Sequence, residues 1–197
     1  MHASFVRLLG RRSARVAVPV VAEITDEALM RRAGVGDRAA FETLFLRYRE
    51  PVWGFFRRRV FDLTAAEELS QETFLAVLTG AARFEGRGPF RAYLFGIAFN
   101  VLMTWRRRHQ QEAIEVEPIA AQSDPDSAIW VRQALAKLEP EEREILMLRE
   151  YEQLSYQEMA QLLVLPLNTV RSRLFRARAA LRLALTGSGG EAGYEER

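Results

Sequence analysis

Residues 154–182 read LSYQEMAQLLVLPLNTVRSRLFRARAALR, a pattern of two short helices separated by a tight turn. Ser155 is a capping residue with Glu158 three positions on, the pairing that satisfies two orphan backbone donors reciprocally. Leu154 and Met159 flank it as a hydrophobic staple, so the first helix starts sharply at Ser155. Val164 and Leu165 form the turn, and Pro166 is expected at the first position of the next helix, where its missing N–H costs little. In that helix Val170, Leu174, Ala177 and Leu181 recur at helical spacing and should face inward. Arg171, Arg173, Arg176, Arg178 and Arg182 fall between them, with no acidic residue between Thr169 and Glu191. A helix-turn-helix with a cationic second helix suits a polyanion, and a major groove admits one such helix. The plainer alternative is a solvated cationic face on an ordinary helical hairpin.

The remainder of the chain narrows the choice. Its 197 residues are enough for two small domains or one larger one, and 49% are hydrophobic, enough for a real core. There is no cysteine, which excludes disulfides and thiolate metal sites, and the two histidines, His2 and His109, have no ligand partners at a sensible spacing. No catalytic cluster or Gly-rich phosphate loop is apparent, so neither an enzyme nor a cofactor is expected. The net charge of +2 hides an asymmetry: residues 1–110 carry 18 basic and 11 acidic side chains, whereas residues 111–128 carry five acids and no lysine or arginine. Such segregation suits two nucleic-acid-facing modules joined by a connector that does not compete for phosphate.

Residues 1–24 contain Arg11 and Arg12 ahead of an apolar run at 16–22, superficially like an export signal. The run is short and holds Pro19, so a flexible extension is expected, and no segment is long and apolar enough for stable membrane insertion. A helix capped by Thr25 or Asp26 should end by Gly34. Asp37 precedes a second, with Ala40, Phe41, Leu44, Phe45 and Tyr48 on one face and a bend at Pro51. Trp53, Phe55 and Phe56 read as core. Asp62 or Thr64 opens a third helix, whose Glu67, Glu68, Gln71 and Glu72 form an acidic surface that repels DNA and complements a basic protein. The Gly- and Pro-rich residues 84–89 form a loop before a long helix ending in Arg106, Arg107 and Arg108. Residues 109–128 read as an acidic linker. Ile129, Val131, Leu135 and Leu138 begin a C-terminal module, in which Pro140 opens the helix holding Ile145, Leu146 and Leu148. Residues 186–197 read as a frayed tail.

Two separated regions carry a family resemblance. AEELSQETF at residues 66–74, followed by FRAYLFGIAFN at 90–100, resembles the first conserved domain of extracytoplasmic-function sigma factors of the sigma-70 family. LSYQEMA at 154–160 and NTVRSRLFRAR at 168–178 resemble their terminal DNA-reading domain. The match spans about residues 25–185. It implies an all-α chain of two helical domains, 25–108 and 129–185, joined by the linker 109–128. It also implies a dissociable initiation subunit whose partners are core RNA polymerase, promoter DNA and an anti-sigma factor. The expected location is cytoplasmic, with tethering near the membrane through that anti-sigma partner. Val164 and Asn168 occupy turn positions where the family often has glycine, and Gly96 lies inside a helix.

The resemblance also implies site residues. Leu69, Gln71, Glu72 and Phe74 would dock on the polymerase clamp, with a structural role as the alternative for Phe74. Arg87, Asn100, Trp105, Arg106, Arg107 and Arg108 would hold the melted minus-ten strand, their alternatives being loop solubility, capping and core packing. Asn168, Thr169, Arg171, Ser172, Arg173, Phe175, Arg176 and Arg178 would contact the duplex minus-thirty-five element. Arg171, Ser172, Phe175 and Arg176 are favoured for bases, with core packing as the alternative for Phe175. The competing functions are a conventional helix-turn-helix regulator and a protein-interaction adaptor.

Overall fold

The computed structural model describes residues 24–60, 62–109, 131 and 133–187. Among these residues the regular structure is entirely helical. Thr25, in extended backbone, accepts a hydrogen bond from the Ala28 amide at 3.3 Å and starts α1 (Asp26–Gly34). Asp37 accepts from the Ala40 amide at 3.1 Å and starts α2 (Arg38–Arg57), which continues through Pro51. Asp62 accepts from the Thr64 amide at 2.9 Å and starts α3 (Leu63–Gly80). Each cap satisfies a donor that the first helical turn leaves without a partner.

The start of α4 (Phe90–His109) is held differently. The Phe90 amide donates to Glu27 Oε1 at 2.8 Å, so α1 supplies a carboxylate where the α4 dipole is positive. This contact joins residues 63 positions apart and fixes where the loop 84–89 ends. Gly34 makes a second such constraint: a Cβ there would lie 2.6 Å from the Ala81 carbonyl oxygen, so only glycine lets α1 approach the 3-10 turn Ala81–Arg83. Leu44, Val52, Phe55, Phe56, Phe90, Leu94, Phe95 and Leu102 are buried between α1, α2, α3 and α4.

A second helical cluster follows. Residues 133–136 are helical, and Arg143 reaches back to donate to the carbonyls of Leu135, Ala136 and Leu138 at 2.8, 2.7 and 3.0 Å. Arg143 itself belongs to α5 (Pro140–Glu150), which Pro140 opens. Ser155 and Glu158 form the expected capping box on α6 (Tyr156–Leu163), at 3.2 and 2.6 Å, and the flanking Leu154 and Met159 are buried. The turn differs in detail from expectation. Pro166 lies one residue before α7 (Leu167–Gly187), its carbonyl accepting from the Val170 amide at 3.1 Å. Asn168 is helical and takes no turn conformation, whereas Val164 does, with φ of 54° and ψ of 48°. Residues 110–128 of the linker expected at 109–128, 1–23 of the extension expected at 1–24 and 188–197 of the tail expected at 186–197 lie outside the described residues, while His109 ends α4 and residues 186–187 belong to α7.

The two clusters touch where α6 packs against α4 and where α2 meets the turn after α5. Glu152, with no exposed surface, accepts from Arg58 Nη2 at 2.8 Å and from Arg59 Nη2 at 3.3 Å. Arg59 also donates from Nε to Glu144 at 2.9 Å. Arg91 of α4 donates to the backbone carbonyls of Glu152 and Tyr151 at 2.7 and 3.1 Å.

Two predictions come from these contacts. Val164 is 87% exposed and left-handed, a conformation that strains a β-branched residue without compensating packing. Val164→Gly should therefore stabilise the chain by about 1 kcal/mol, read as a higher melting temperature; a loss of stability would refute the strain. Tyr48 donates to Asp26 at 2.5 Å, and its burial, reinforced by that carboxylate, raises its pKa to about 12 from 10.0. The unfolded phenol ionises first, so its stabilisation is complete below pH 10 and is lost as pH rises through about 12. Tyr48→Phe should remove a part of the alkaline destabilisation on the order of 2 kcal/mol, measured by thermal melts across that window.

Candidate nucleic-acid and polymerase interface

The free face of α7 is built from residues that the packing residues leave over. Val170, Leu174 and Ala177 are buried against α5 and α6. Asn168, Arg171, Ser172 and Phe175, at offsets of three, four and seven, are all exposed and share one stripe. Arg171 lies 3.4 Å from Asn168 Oδ1, and the Ser172 hydroxyl donates to the Thr169 carbonyl at 3.1 Å. Phe175 is 76% exposed, so it does not belong to the core. Its ring stands in water on a helix face flanked by Arg171 and Arg176.

Three further arginines of α7 are less bare than their sequence suggests. Arg178 donates to Glu150 at 2.8 Å, Arg173 lies 3.4 Å from Glu141, and Arg176 lies 4.0 Å from Glu142. The hydrogen bond to Glu150 raises the Arg178 pKa further above its ordinary value. The acids come from α5, so no count of charges along α7 could have found them. They leave Arg171 as the cation on the exposed stripe and hold Arg173 and Arg178 in fixed positions beside it.

The loop 84–89 and the middle of α4 line a cleft of about 600 Å³. Phe84, Arg87, Tyr93, Gly96 and Asn100 form one wall, and Leu154, Glu158, Gln161 and Leu162 of the second cluster form the other. Phe84 and Tyr93 stack obliquely at 5.0 Å, and Gly86 turns the loop with φ of 67°. A Cβ at Gly96 would meet nothing within 4 Å, so this glycine leaves room in the cleft and is not a close-packing device. Arg87 pairs with Glu85 and is exposed. Trp105 lies further along α4, half-buried and stacked on His109 at 4.6 Å, and the exposed Arg106, Arg107 and Arg108 follow it. Thus Arg87 and Asn100 share the cleft, while residues 105–108 form a separate cationic end of the helix. Partial desolvation lowers the Arg106 pKa, an effect opposed by Glu144 and reinforced by Arg59.

On α3, Leu69 and Phe74 are buried, and Phe74 packs edge-on against Phe45 at 4.9 Å. Gln71 and Glu72 are exposed. Beside them Leu75 and Leu78 are 64% and 46% exposed, an apolar pair on the same helix face. The exposed face of α3 is therefore Glu68, Gln71, Glu72, Leu75 and Leu78, supported from beneath by Leu69 and Phe74. Among the described residues no helix is long and apolar enough to cross a membrane, and no group of three or more acidic or histidine side chains is placed to hold a metal ion.

Comparison with known proteins agrees with this arrangement. Residues 44–112 match the model of sigma-70 region 2, and residues 128–181 match that of sigma-70 region 4. RNA polymerase sigma-H factor of Pseudomonas aeruginosa is 32% identical over 81% of this chain and 93% of its own length. RNA polymerase sigma factor YlaC of Bacillus subtilis is 32% identical over 77% of this chain and 95% of its own length. Among solved structures, CnrH in complex with the cytosolic domain of CnrY aligns with a TM-score of 0.63 at 28% identity, covering 82% of this chain and 97% of that one. Sigma factor RpoE of Bartonella quintana, crystallised with the anti-sigma factor NepR, aligns at 0.64 and 25% identity, covering 74% and 96%. With both halves matched in order and relatives spanning nearly their full length, the protein belongs to the sigma-70 family as an extracytoplasmic-function sigma factor, which carries core RNA polymerase to promoters.

Proposed function

We propose that this sigma factor divides promoter recognition between two forms of DNA, with domains at residues 25–108 and 129–185. The α7 stripe of Asn168, Arg171, Ser172 and Phe175 reads the duplex minus-thirty-five element. The cleft between loop 84–89 and α4 takes the melted minus-ten strand. The observation that carries the duplex assignment is the exposure of Phe175 beside Arg171, which packing alone does not explain. A preformed helix suits the major groove, where arginine reads guanine edges and an apolar ring meets thymine methyl groups. Arg176, favoured for bases on sequence grounds, lies off that stripe near Glu142 and joins Thr169, Arg173 and Arg178 in holding phosphates, which orient the helix without reading sequence.

For the melted strand, Tyr93 and Phe84 supply aromatic surface and Asn100 an amide in the same cleft, the combination that suits an unstacked base. Arg87, Trp105, Arg106, Arg107 and Arg108 guide the backbone on either side. Gln71 and Glu72, with Leu75 and Leu78 beside them, dock on the polymerase clamp, and Leu69 and Phe74 act by setting the pose of α3. The factor lowers the cost of strand opening because it binds the open form, and it joins two weak DNA contacts in one chain. An anti-sigma factor holds it inactive in the cytoplasm, a reading supported by the solved relative caught with the anti-sigma factor NepR.

The reading is tested by initiation with purified core polymerase on a library of templates. Adding the chain should move transcription to a defined subset of start sites. Specific duplex binding with no redirected initiation would instead favour a conventional regulator, and binding to neither would favour an adaptor. Within that assay, Arg171→Ala should lose roughly 1 to 3 kcal/mol at preferred sites and flatten discrimination between upstream elements. Arg178→Ala should weaken all DNAs about equally and reduce the salt dependence by about one ion. Equal losses of discrimination from both changes would contradict the division of roles.

A further inference from the structure

The loop 84–89 is bounded at both ends by contacts with the same short helix. At its far end the Phe90 amide donates to Glu27 Oε1 at 2.8 Å. Before its near end the Ala81 carbonyl lies against Gly34, where a Cβ would be 2.6 Å away. Arg31 meets its middle. A Cβ at Gly86 would stand 3.4 Å from both Nε and Nη2 of that arginine, so the guanidinium lies along the loop backbone where φ is 67°. Residues 27, 31 and 34 are spaced by four and then three positions, which places them on one face of α1. Their counterparts 90, 86 and 81 run in the opposite order, so α1 spans the loop from end to end.

Neighbouring contacts make that span stiff. Asp26 accepts a hydrogen bond from Tyr48, whose ring meets Phe90 edge-on at 5.3 Å, so the residue that ends the loop is fixed by side chain as well as by backbone. The loop has little of its own to hold it. Phe84 packs on Phe90 and Tyr93, but Gly86 and Gly88 carry no side chain, and a Cβ at Gly88 would meet nothing within 4 Å. Glycines lose the most conformational freedom on ordering, so a loop of this composition keeps one shape only where its surroundings impose it. A cleft that admits one base and rejects others needs its wall held to within about 0.5 Å, a precision that helices supply better than loops.

We infer that α1 is the positioning element of the single-strand site: Glu27, with Arg31 and Gly34 on the same face, holds loop 84–89 in the shape that admits the preferred base of melted DNA and excludes others. None of the three lines the cleft, and Glu27 acts through Phe90. This rests on the reading that the cleft takes the melted strand, and it moves part of the selectivity to a helix outside the cleft wall.

The experiment uses the full chain with core polymerase. Its probes are fluorescein-labelled single strands carrying the minus-ten element of a template to which the chain directs initiation, intact or altered at one base. Glu27→Ala should weaken the matched strand roughly tenfold, the worth of one hydrogen bond to a charged group, and weaken mismatched strands less. Binding of a minus-thirty-five duplex should not change. Glu27→Gln keeps an acceptor oxygen and should restore most of the matched affinity. Loop order is read separately: the sequence has no cysteine, so Gly88→Cys carries a single spin label on the loop without a clash, and Glu27→Ala should raise its mobility. Glu27→Asp, one methylene short, should move every readout the same way by a smaller factor, which keeps the test valid if the alanine variant folds poorly. Equal losses on matched strands, mismatched strands and duplex, or a label as ordered as in the parent chain, would overturn the inference. Weakening by Asn100→Ala with none by Glu27→Ala would also overturn it and leave the cleft reading intact. Silence of Asn100→Ala would instead sink the cleft reading, with the loop label still deciding whether α1 holds the loop.

Discussion

A carboxylate without access to water decides how the halves of this molecule sit. Among the described residues Glu152 is neutralised by Arg58 and Arg59 from the other helical cluster, and Arg91 secures its backbone from a third direction. Removing one partner leaves a buried charge uncompensated, which costs far more than the intact pair contributes. Buried apolar residues around Phe55 and around Leu174 join in one cluster, and the placement of the two halves rests on that cluster, on the packing of α6 on α4 and on this ionic contact. The cleft near Asn100 takes its second wall from that placement.

Much of the local architecture was legible in the sequence because its causes are local. Thr25, Asp37, Asp62 and Ser155 each cap the helix that immediately follows, and the spacing of Val170, Leu174 and Ala177 marks the buried face of α7. Leu154 and Met159 were recognisable as a staple for the same reason. The site residues on α7 were legible as a set, but their division was not. Arg173 and Arg178 meet acids of α5, and Phe175 lies off the apolar stripe by one position, so its exposure needed the fold to be visible.

Other features had no local signal. The Glu27 cap on α4 and the reach of Arg143 to the preceding helix end both depend on how elements pack. Arg58 and Arg59 lie more than 90 positions from Glu152, with no spacing that relates them; the contact between clusters pairs them. Pro166 precedes the first residue of α7 and Asn168 lies within that helix, while the positive φ of the turn falls at Val164.

In the proposed division of labour one polymerase subunit carries two recognition surfaces, each suited to a different form of DNA. A rigid helix presenting Arg171 and Phe175 matches a duplex groove, while a glycine-containing loop beside Tyr93 and Asn100 matches a strand whose bases have left the stack. The most direct measurement is footprinting of the complex of this chain, core polymerase and a promoter. Permanganate should find unpaired thymines at the minus-ten element, and hydroxyl radicals should find protected duplex at the minus-thirty-five element, with the first signal lost on Asn100→Ala and the second on Arg171→Ala. Melting that occurs without this chain, or a pair of footprints that both variants alter alike, would contradict it.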